Sequence, residues 1–238
     1  MITYPFGVGS TRTRVLEAGK GEHALVFIHG LGARADRWRP NLDALASAGY
    51  RCYALDLPGH GFADKGSGFP YGVPGYAGFV GEFMERASIR EAGLVGTSLG
   101  GHIAAYLACE RPGPVRALVL VGSTGLARIG ADARRAIGQN ILDTTRDGIE
   151  RKLKYVLSDQ ALITEEWVDE EYRINNSPGA GEAFTRLSEY ATDEAGLDRD
   201  TVGPRLAGLA PPIPILLVWG ADDAVVPLTV GEEARAAL

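Results

Sequence analysis

Apolar and polar positions along the chain fall into two alternating rhythms. Residues 24–28, 92–95, 115–121 and 213–219 are short, nearly continuous apolar runs, the signature of strands covered on both faces. Residues 50–55 read as a further strand, and the weak alternation over 11–17 predicts an early antiparallel one. Between these runs apolar side chains recur at helical spacing. Trp38, Leu42, Leu45 and Ala46 form one such face, closed by Gly49, and residues 76–88 form another. Strands alternating with helices at this interval predict the α/β class, a mostly parallel, doubly wound sheet with helices on both sides. The rhythm stops at Leu126. From there to Pro204 no strand-like run occurs; Ile137, Ile141, Ile149, Leu153 and Val156 mark helical faces, and helices are predicted over 165–175 and 182–192. The chain therefore divides into a core segment 1–125, a helical insertion 126–204 and a second core segment 205–238, with a last helix over 228–238.

Composition removes several function classes. At 238 residues the chain suits one large α/β domain, and 45% hydrophobic with 23% charged residues is ordinary for a soluble protein. Lys+Arg 24 against Asp+Glu 30 gives a net charge of −6, so no basic surface favours nucleic acid. Every apolar run is far shorter than the ~18 residues a membrane span requires. The first ten residues lack the basic and apolar regions of a secretory signal. Cys52 and Cys109, in strand-like and helix-like surroundings, read as buried free thiols, which fits a cytoplasmic protein. With no clustered His/Cys set, P-loop or dinucleotide fingerprint, neither a metal nor an organic cofactor is expected.

One strand-like run enters a motif that carries chemistry. Residues 92–95 lead into Gly96-Thr97-Ser98-Leu99-Gly100, and an alanine-rich helical stretch follows at once, so G-x-S-x-G stands in a strand–turn–helix setting. Reversing the chain so abruptly crowds the backbone at Ser98, and the positions two before and two after it must be small. Gly96 and Gly100 meet that need. Ser98 is then presented at a helix N-terminus, where free backbone N–H groups stabilise an anion. An ordinary glycine-rich turn of a parallel sheet satisfies the same local pattern.

Three further motifs follow other predicted strands: His29-Gly30-Leu31-Gly32, Asp56-Leu57-Pro58-Gly59-His60-Gly61, and Trp219-Gly220-Ala221-Asp222-Asp223 through Val226-Pro227. Together and in this order the four motifs resemble the α/β-hydrolase family, and the resemblance covers nearly the whole chain. It implies the α/β-hydrolase sheet, with residues 126–204 as a helical lid inserted after the sixth strand. It also implies a serine hydrolase with Ser98 as nucleophile. The Leu31 and Leu99 N–H groups would form the oxyanion hole, and His29 and Gly30 would shape the pocket. The spacing from Trp219 selects Asp223 as the acid, with Asp222 as the alternative.

The general base does not fit this pattern. In the family resembled, it is a histidine well beyond the acid, after an eighth strand. Here all four histidines, His23, His29, His60 and His102, precede Asp223. His23 reads as an exposed turn residue, and His102, one helical turn beyond Ser98, as packed against the sheet. The expectation is a C-terminally truncated hydrolase, lacking its last strand and helix and nearly inactive. Its 213–219 strand would be an open edge through which the chain self-associates as a homo-oligomer. A histidine from a partner chain, or a ligand-binding protein without turnover, are the other readings.

For the substrate, a small carboxylic ester with an apolar acyl or aryl group suits the aromatics of the insertion, Tyr155, Trp167, Tyr172, Phe184 and Tyr190. These side chains would serve equally as the insertion's own core. Ile163-Thr164-Glu165-Glu166 through Tyr172-Arg173 to Ser177-Pro178-Gly179 resembles the lids of meta-cleavage-product hydrolases, which cut C–C bonds of dienoates. Against that, those enzymes carry a longer glycine/proline loop than His29-Gly30-Leu31-Gly32-Ala33.

Overall fold

Seven strands form one sheet in the order β1-β2-β4-β3-β5-β6-β7. The computed structural model describes residues 1–66, 68–193 and 196–238. The strands are β1 (Ile2–Val8), β2 (Thr11–Ala18), β3 (His23–Ile28), β4 (Tyr50–Leu55), β5 (Ala92–Thr97), β6 (Val115–Val121) and β7 (Ile215–Val218). β2 is antiparallel to both β1 and β4, and every other pair is parallel. The α/β expectation therefore holds. β1 was not expected, although its Ile2, Tyr4, Phe6 and Val8 alternate with Thr3, Pro5 and Gly7 at the strand period of two. As an edge strand with one unpaired side, β1 tolerates a proline.

Side chains alternate between the two faces with a period of two. Val26 and Ile28 of β3, with Tyr53 and Leu55 of β4, join a large apolar core with helices α2 (Val73–Arg86) and α3 (Leu99–Glu110). Phe27, Cys52 and Ala54 point the other way and pack with Trp38 and Leu42, the latter on α1 (Arg39–Ser47). Helix α3 is buried almost all round, which explains its alanines and its weak amphipathic signal. Pro74 in the first turn of α2 starts that helix earlier than the predicted residue 76. Cys52 is fully buried and Cys109 half-buried, and both are free thiols.

Between β6 and β7 lie α4 (Ala131–Leu142), α5 (Arg146–Val156), α6 (Glu165–Asn175), α7 (Ala180–Thr192), α8 (Gly196–Arg199) and α9 (Gly203–Ala207); α10 (Leu228–Ala237) follows β7. Thr145 and Thr164 cap α5 and α6 by accepting the N–H of Gly148 and Trp167, each at 3.1 Å. The insertion has two apolar attachments. Ile141, Phe184, Leu187 and Ala191 belong to the main core, whereas Ile149, Leu153 and Val168 make a small core of their own. Val156 is exposed instead of sharing the predicted face. β7 lies at the end of the sheet, and its Leu216 and Val218 are exposed, as expected of an edge.

The strand order places the chemistry. From β3 the chain moves outward to β4, then returns to the opposite side of β3 as β5. The segments that leave the C-terminal ends of β3 and β5 diverge at this switch point, with residues 29–34 on one side of it and Ser98 on the other.

Candidate active site

Ser98 joins β5 to α3 with φ 51° and ψ −120°, a conformation that non-glycine residues rarely adopt. A Cβ on Gly96 would collide with the Gly100 carbonyl, and one on Gly100 with that of Ile28, so both glycines are steric necessities. Hydrogen bonds hold the turn from both sides. The Ser98 N–H donates to Val121 O at 3.0 Å, and its carbonyl accepts from Gly101, His102 and Thr124 N–H at 3.1, 3.2 and 3.3 Å. Ser98 itself remains half-buried.

Gly30 faces it from the loop after β3. A Cβ there would lie 3.2 Å from Ser98 Cβ and 3.8 Å from its Oγ, so the loop approaches closely because this residue has no side chain. His29 is fully buried, and its Nε2 accepts the Leu57 N–H at 2.9 Å. A backbone amide can only donate, so the ring proton sits on Nδ1, which donates to Gly30 O at 2.8 Å. Ala33 N–H reaches the same carbonyl at 3.2 Å. Gly30 C=O and Leu31 N–H share one planar peptide, so fixing the carbonyl also fixes the direction of the amide. Among the described residues neither Leu31 N–H nor Leu99 N–H has an acceptor.

Asp223 approaches from the end of β7. Its Oδ1 accepts the Val225 and Val226 N–H groups, both at 2.9 Å, and its Oδ2 would lie 2.8 Å from a Cβ built on Gly122. Since Ser98 N–H binds the carbonyl of Val121, Ser98 and Asp223 flank the same end of β6. Asp222 is exposed and Asp223 is half-buried.

No histidine side chain among the described residues bonds Ser98 or Asp223. His102 is buried under Gly125, with Nε2 donating to Asp200 O at 2.7 Å. His60 donates from Nδ1 to Pro58 O at 3.2 Å and packs against the rings of His29, Tyr76 and Phe184. Burial pushes the His60 imidazole down to about 3, and also lowers those of His29 and His102. His23 stands exposed at the start of β3. Among the described residues, no group of His, Cys, Asp and Glu could hold a metal ion, and no helix is long and apolar enough to cross a membrane.

The Asp56 motif is a brace. The buried Asp56 carboxylate accepts Ala35 N–H at 2.8 Å, Phe62 N–H at 2.9 Å and the Arg14 guanidinium at 2.9 Å. Sequence reasoning missed the charge network that continues from it. Asp36 takes Arg14 at 2.5 Å, Arg34 at 2.8 Å and Arg39 at 2.6 Å, contacts that hold its carboxyl down at about 2. The dense charges of Arg34-Ala35-Asp36-Arg37-Trp38-Arg39 were the visible signal. Their partners on α6, Glu170 and Glu171, lie too far along the chain to pair by inspection; Arg37 and Glu171 are 134 residues apart.

The aromatics of the insertion divide. Phe184 is buried in the main core, Tyr190 donates to Asp200 Oδ2 at 2.7 Å, and Trp167 lies under the Arg37 guanidinium at 4.1 Å. Tyr155 and Tyr172 are exposed, so these two do not form an apolar lining.

The comparisons with known proteins bear on the family and the fold. The chain is 32% identical over 228 residues to the dihydrolipoyllysine-residue acetyltransferase component of the acetoin cleaving system of Cupriavidus necator, over 95% of this chain. It spans only 59% of that relative. It is 31% identical over 232 residues to a 2-hydroxy-6-oxononadienedioate/2-hydroxy-6-oxononatrienedioate hydrolase of Burkholderia vietnamiensis, covering 92% of this chain and 77% of the other. Among solved structures, the 2-hydroxy-6-oxo-6-phenylhexa-2,4-dienoate hydrolase of a Rhodococcus species superposes with a TM-score of 0.86 at 24% identity, over 100% of this chain and 87% of that one. At that identity the likeness concerns the fold. The sequence model of the alpha/beta hydrolase fold matches residues 23–238, so by sheet order, serine turn and sequence alike the chain belongs to the α/β hydrolase family.

Proposed function

We propose that this protein is a serine hydrolase that cleaves a carboxylic ester of a small apolar substrate. The observation that carries the reading is the strained Ser98 turn, set beside two backbone N–H groups, Leu31 and Leu99, that lack acceptors among the described residues. Ser98 Oγ attacks the ester carbonyl while its proton passes to a general base. The tetrahedral oxyanion is held by the two amides, the alkoxide leaves with the proton, and water then releases the acid from Ser98. Asp223 orients the base imidazole. Helices α4 to α9 act as the lid.

The four histidines of the chain are poorly suited to be that base. Both nitrogens of His29 are engaged, His102 is tied to Asp200, and His60 is buried against its neighbours. None of the four is therefore assigned the role of base, and ester turnover by residues 1–238 should be slow for want of one. Added imidazole should restore part of the rate.

A second reading, hydrolysis of a C–C bond in a dienoate, is favoured by the hydrolase of Burkholderia vietnamiensis and its high coverage. One assay separates the readings. The full gene product is offered a p-nitrophenyl butyrate and a 2-hydroxy-6-oxo-dienoate, with Ser98→Ala as control. Faster turnover of the ester, lost in Ser98→Ala, is the expected result. Faster turnover of the dienoate favours the second reading, and turnover of neither points to a ligand-binding protein.

A further inference from the structure

The loop after β3, residues 29–34, carries the Leu31 amide, and the helical insertion grips it at two places. At Gly32, whose φ is +69°, the Cδ1 of Ile141 on α4 stands 3.2 Å from where a Cβ would be. At Arg34 the grip is ionic. The Arg34 side chain is 5% exposed and reaches Glu171 on α6 at 3.1 Å and Glu170 at 2.6 Å. Glu171 is the focus: its side chain is also 5% exposed, and its Oε1 accepts hydrogen bonds from Arg37 at 3.2 Å and the Trp167 Nε1–H at 3.1 Å, while Arg34 Nη1 stands 3.1 Å away as an ion pair without hydrogen-bond geometry. Arg37 in turn stacks on Trp167. Glu170, half-exposed, adds a screened contact only.

A buried carboxylate shared by two guanidiniums is a poor means of gaining stability, because desolvation offsets most of the attraction. It is an effective means of holding one geometry, since leaving either partner uncompensated is costly. Here the geometry held is the far end of the loop, three residues from Leu31. Its near end is held by His29, through Leu57 N–H and Gly30 O.

We infer that Glu171 is a positioning residue for catalysis: from the insertion, it fixes the Arg34 end of the loop and thereby aims the Leu31 amide at the oxyanion formed on Ser98's substrate. The inference rests on the proposed serine mechanism and gives α6 a role in rate, separate from covering the substrate. The scissile group meets the loop only as charge develops on its oxygen, so loosening the loop lowers kcat and leaves KM nearly unchanged.

The test uses the full gene product with Glu171→Gln and, because that change leaves two guanidiniums short of charge, a paired Arg34→Met/Glu171→Met variant that removes the carboxylate together with one of the two. Each should fold by circular dichroism. Each should lose about tenfold in kcat for a p-nitrophenyl ester, with KM within twofold, and label Ser98 with a fluorophosphonate about tenfold more slowly. In the unaltered protein, amide exchange at Ala33 and at Glu171 should accelerate together as denaturant is raised below the unfolding midpoint. Unchanged kcat and labelling with only a lower Tm would overturn the inference and leave Glu171 a packing group. So would independent exchange at the two amides. Full ester turnover in Ser98→Ala would instead overturn the serine mechanism underneath it, which keeps the two failures distinct.

Discussion

The side chain of His29 accepts the amide proton of Leu57 at 2.9 Å, tying the end of β3 to the end of β4 through a ring whose other nitrogen holds Gly30 O. Loss of the ring leaves the buried Leu57 N–H without an acceptor, at about 1–3 kcal/mol, and leaves Gly30 O with the Ala33 N–H at 3.2 Å as its remaining partner. It also frees the Gly30–Leu31 peptide to turn. His29→Ala should therefore unfold at lower denaturant and, where folded, lose about 10- to 100-fold in kcat. Guanidinium melts and ester kinetics on the same sample check both halves.

Acid should weaken the fold well above the carboxylate range. His60, His29 and His102 have imidazoles lowered by burial, so they are neutral when folded and take up protons more readily when unfolded. Stability is complete above about 6.5, the unfolded value, and falls as pH drops from there towards about 3, the folded value for His60. The slope is at most about 1.4 kcal/mol per pH unit for each imidazole. Urea melts at pH 7.5, 6 and 5 should show the decline, and His60→Phe should flatten it. Equal stability at pH 7.5 and 5 would refute the account.

Asp223 and Asp222 are adjacent but lie in different surroundings. Asp223 receives two amide N–H groups and abuts Gly122, while Asp222 is exposed. In the full gene product Asp223→Asn should cost about 10³- to 10⁴-fold in kcat, and Asp222→Asn less than twofold. The reverse order would move the acid to Asp222.

Ser98 adopts φ 51° only because the turn demands it. Glycine takes that conformation without a Cβ penalty, so Ser98→Gly should stabilise the fold by about 1 kcal/mol while abolishing turnover. A thermal melt that rises by a few degrees is the expected sign. A lower Tm would mean that the Ser98 side chain contributes packing that the turn's strain conceals.

Much of the core was legible because its physics is local. The apolar runs at 24–28, 92–95 and 115–121 became strands, and the glycines flanking Ser98 announced a crossing too tight for a Cβ. The limits of the reading appear where a neighbour decides. No strand was predicted over 2–8, where Pro5 stands in mid-pattern, yet an unpaired edge accepts the proline. The predicted strand over 213–219 shrank to β7 because pairing with β6 begins only at Ile215. At the site, Gly30's approach to Ser98 follows from the motif order, whereas Glu171 is an unremarkable acidic position in a helix until Arg34 and Arg37 are set beside it. The aromatic residues misled for the same reason: their composition says nothing about which way Tyr155 and Tyr172 face.

The small separate core of Ile149, Leu153 and Val168 has an evolutionary consequence. Because α5 and α6 satisfy part of their burial among themselves, their sequence can drift as a module without disturbing the sheet that presents Ser98. Selection can then rework these outer helices while the few residues that clasp the loop stay fixed. A chain built this way can exchange its outer half-shell and keep the sheet beneath.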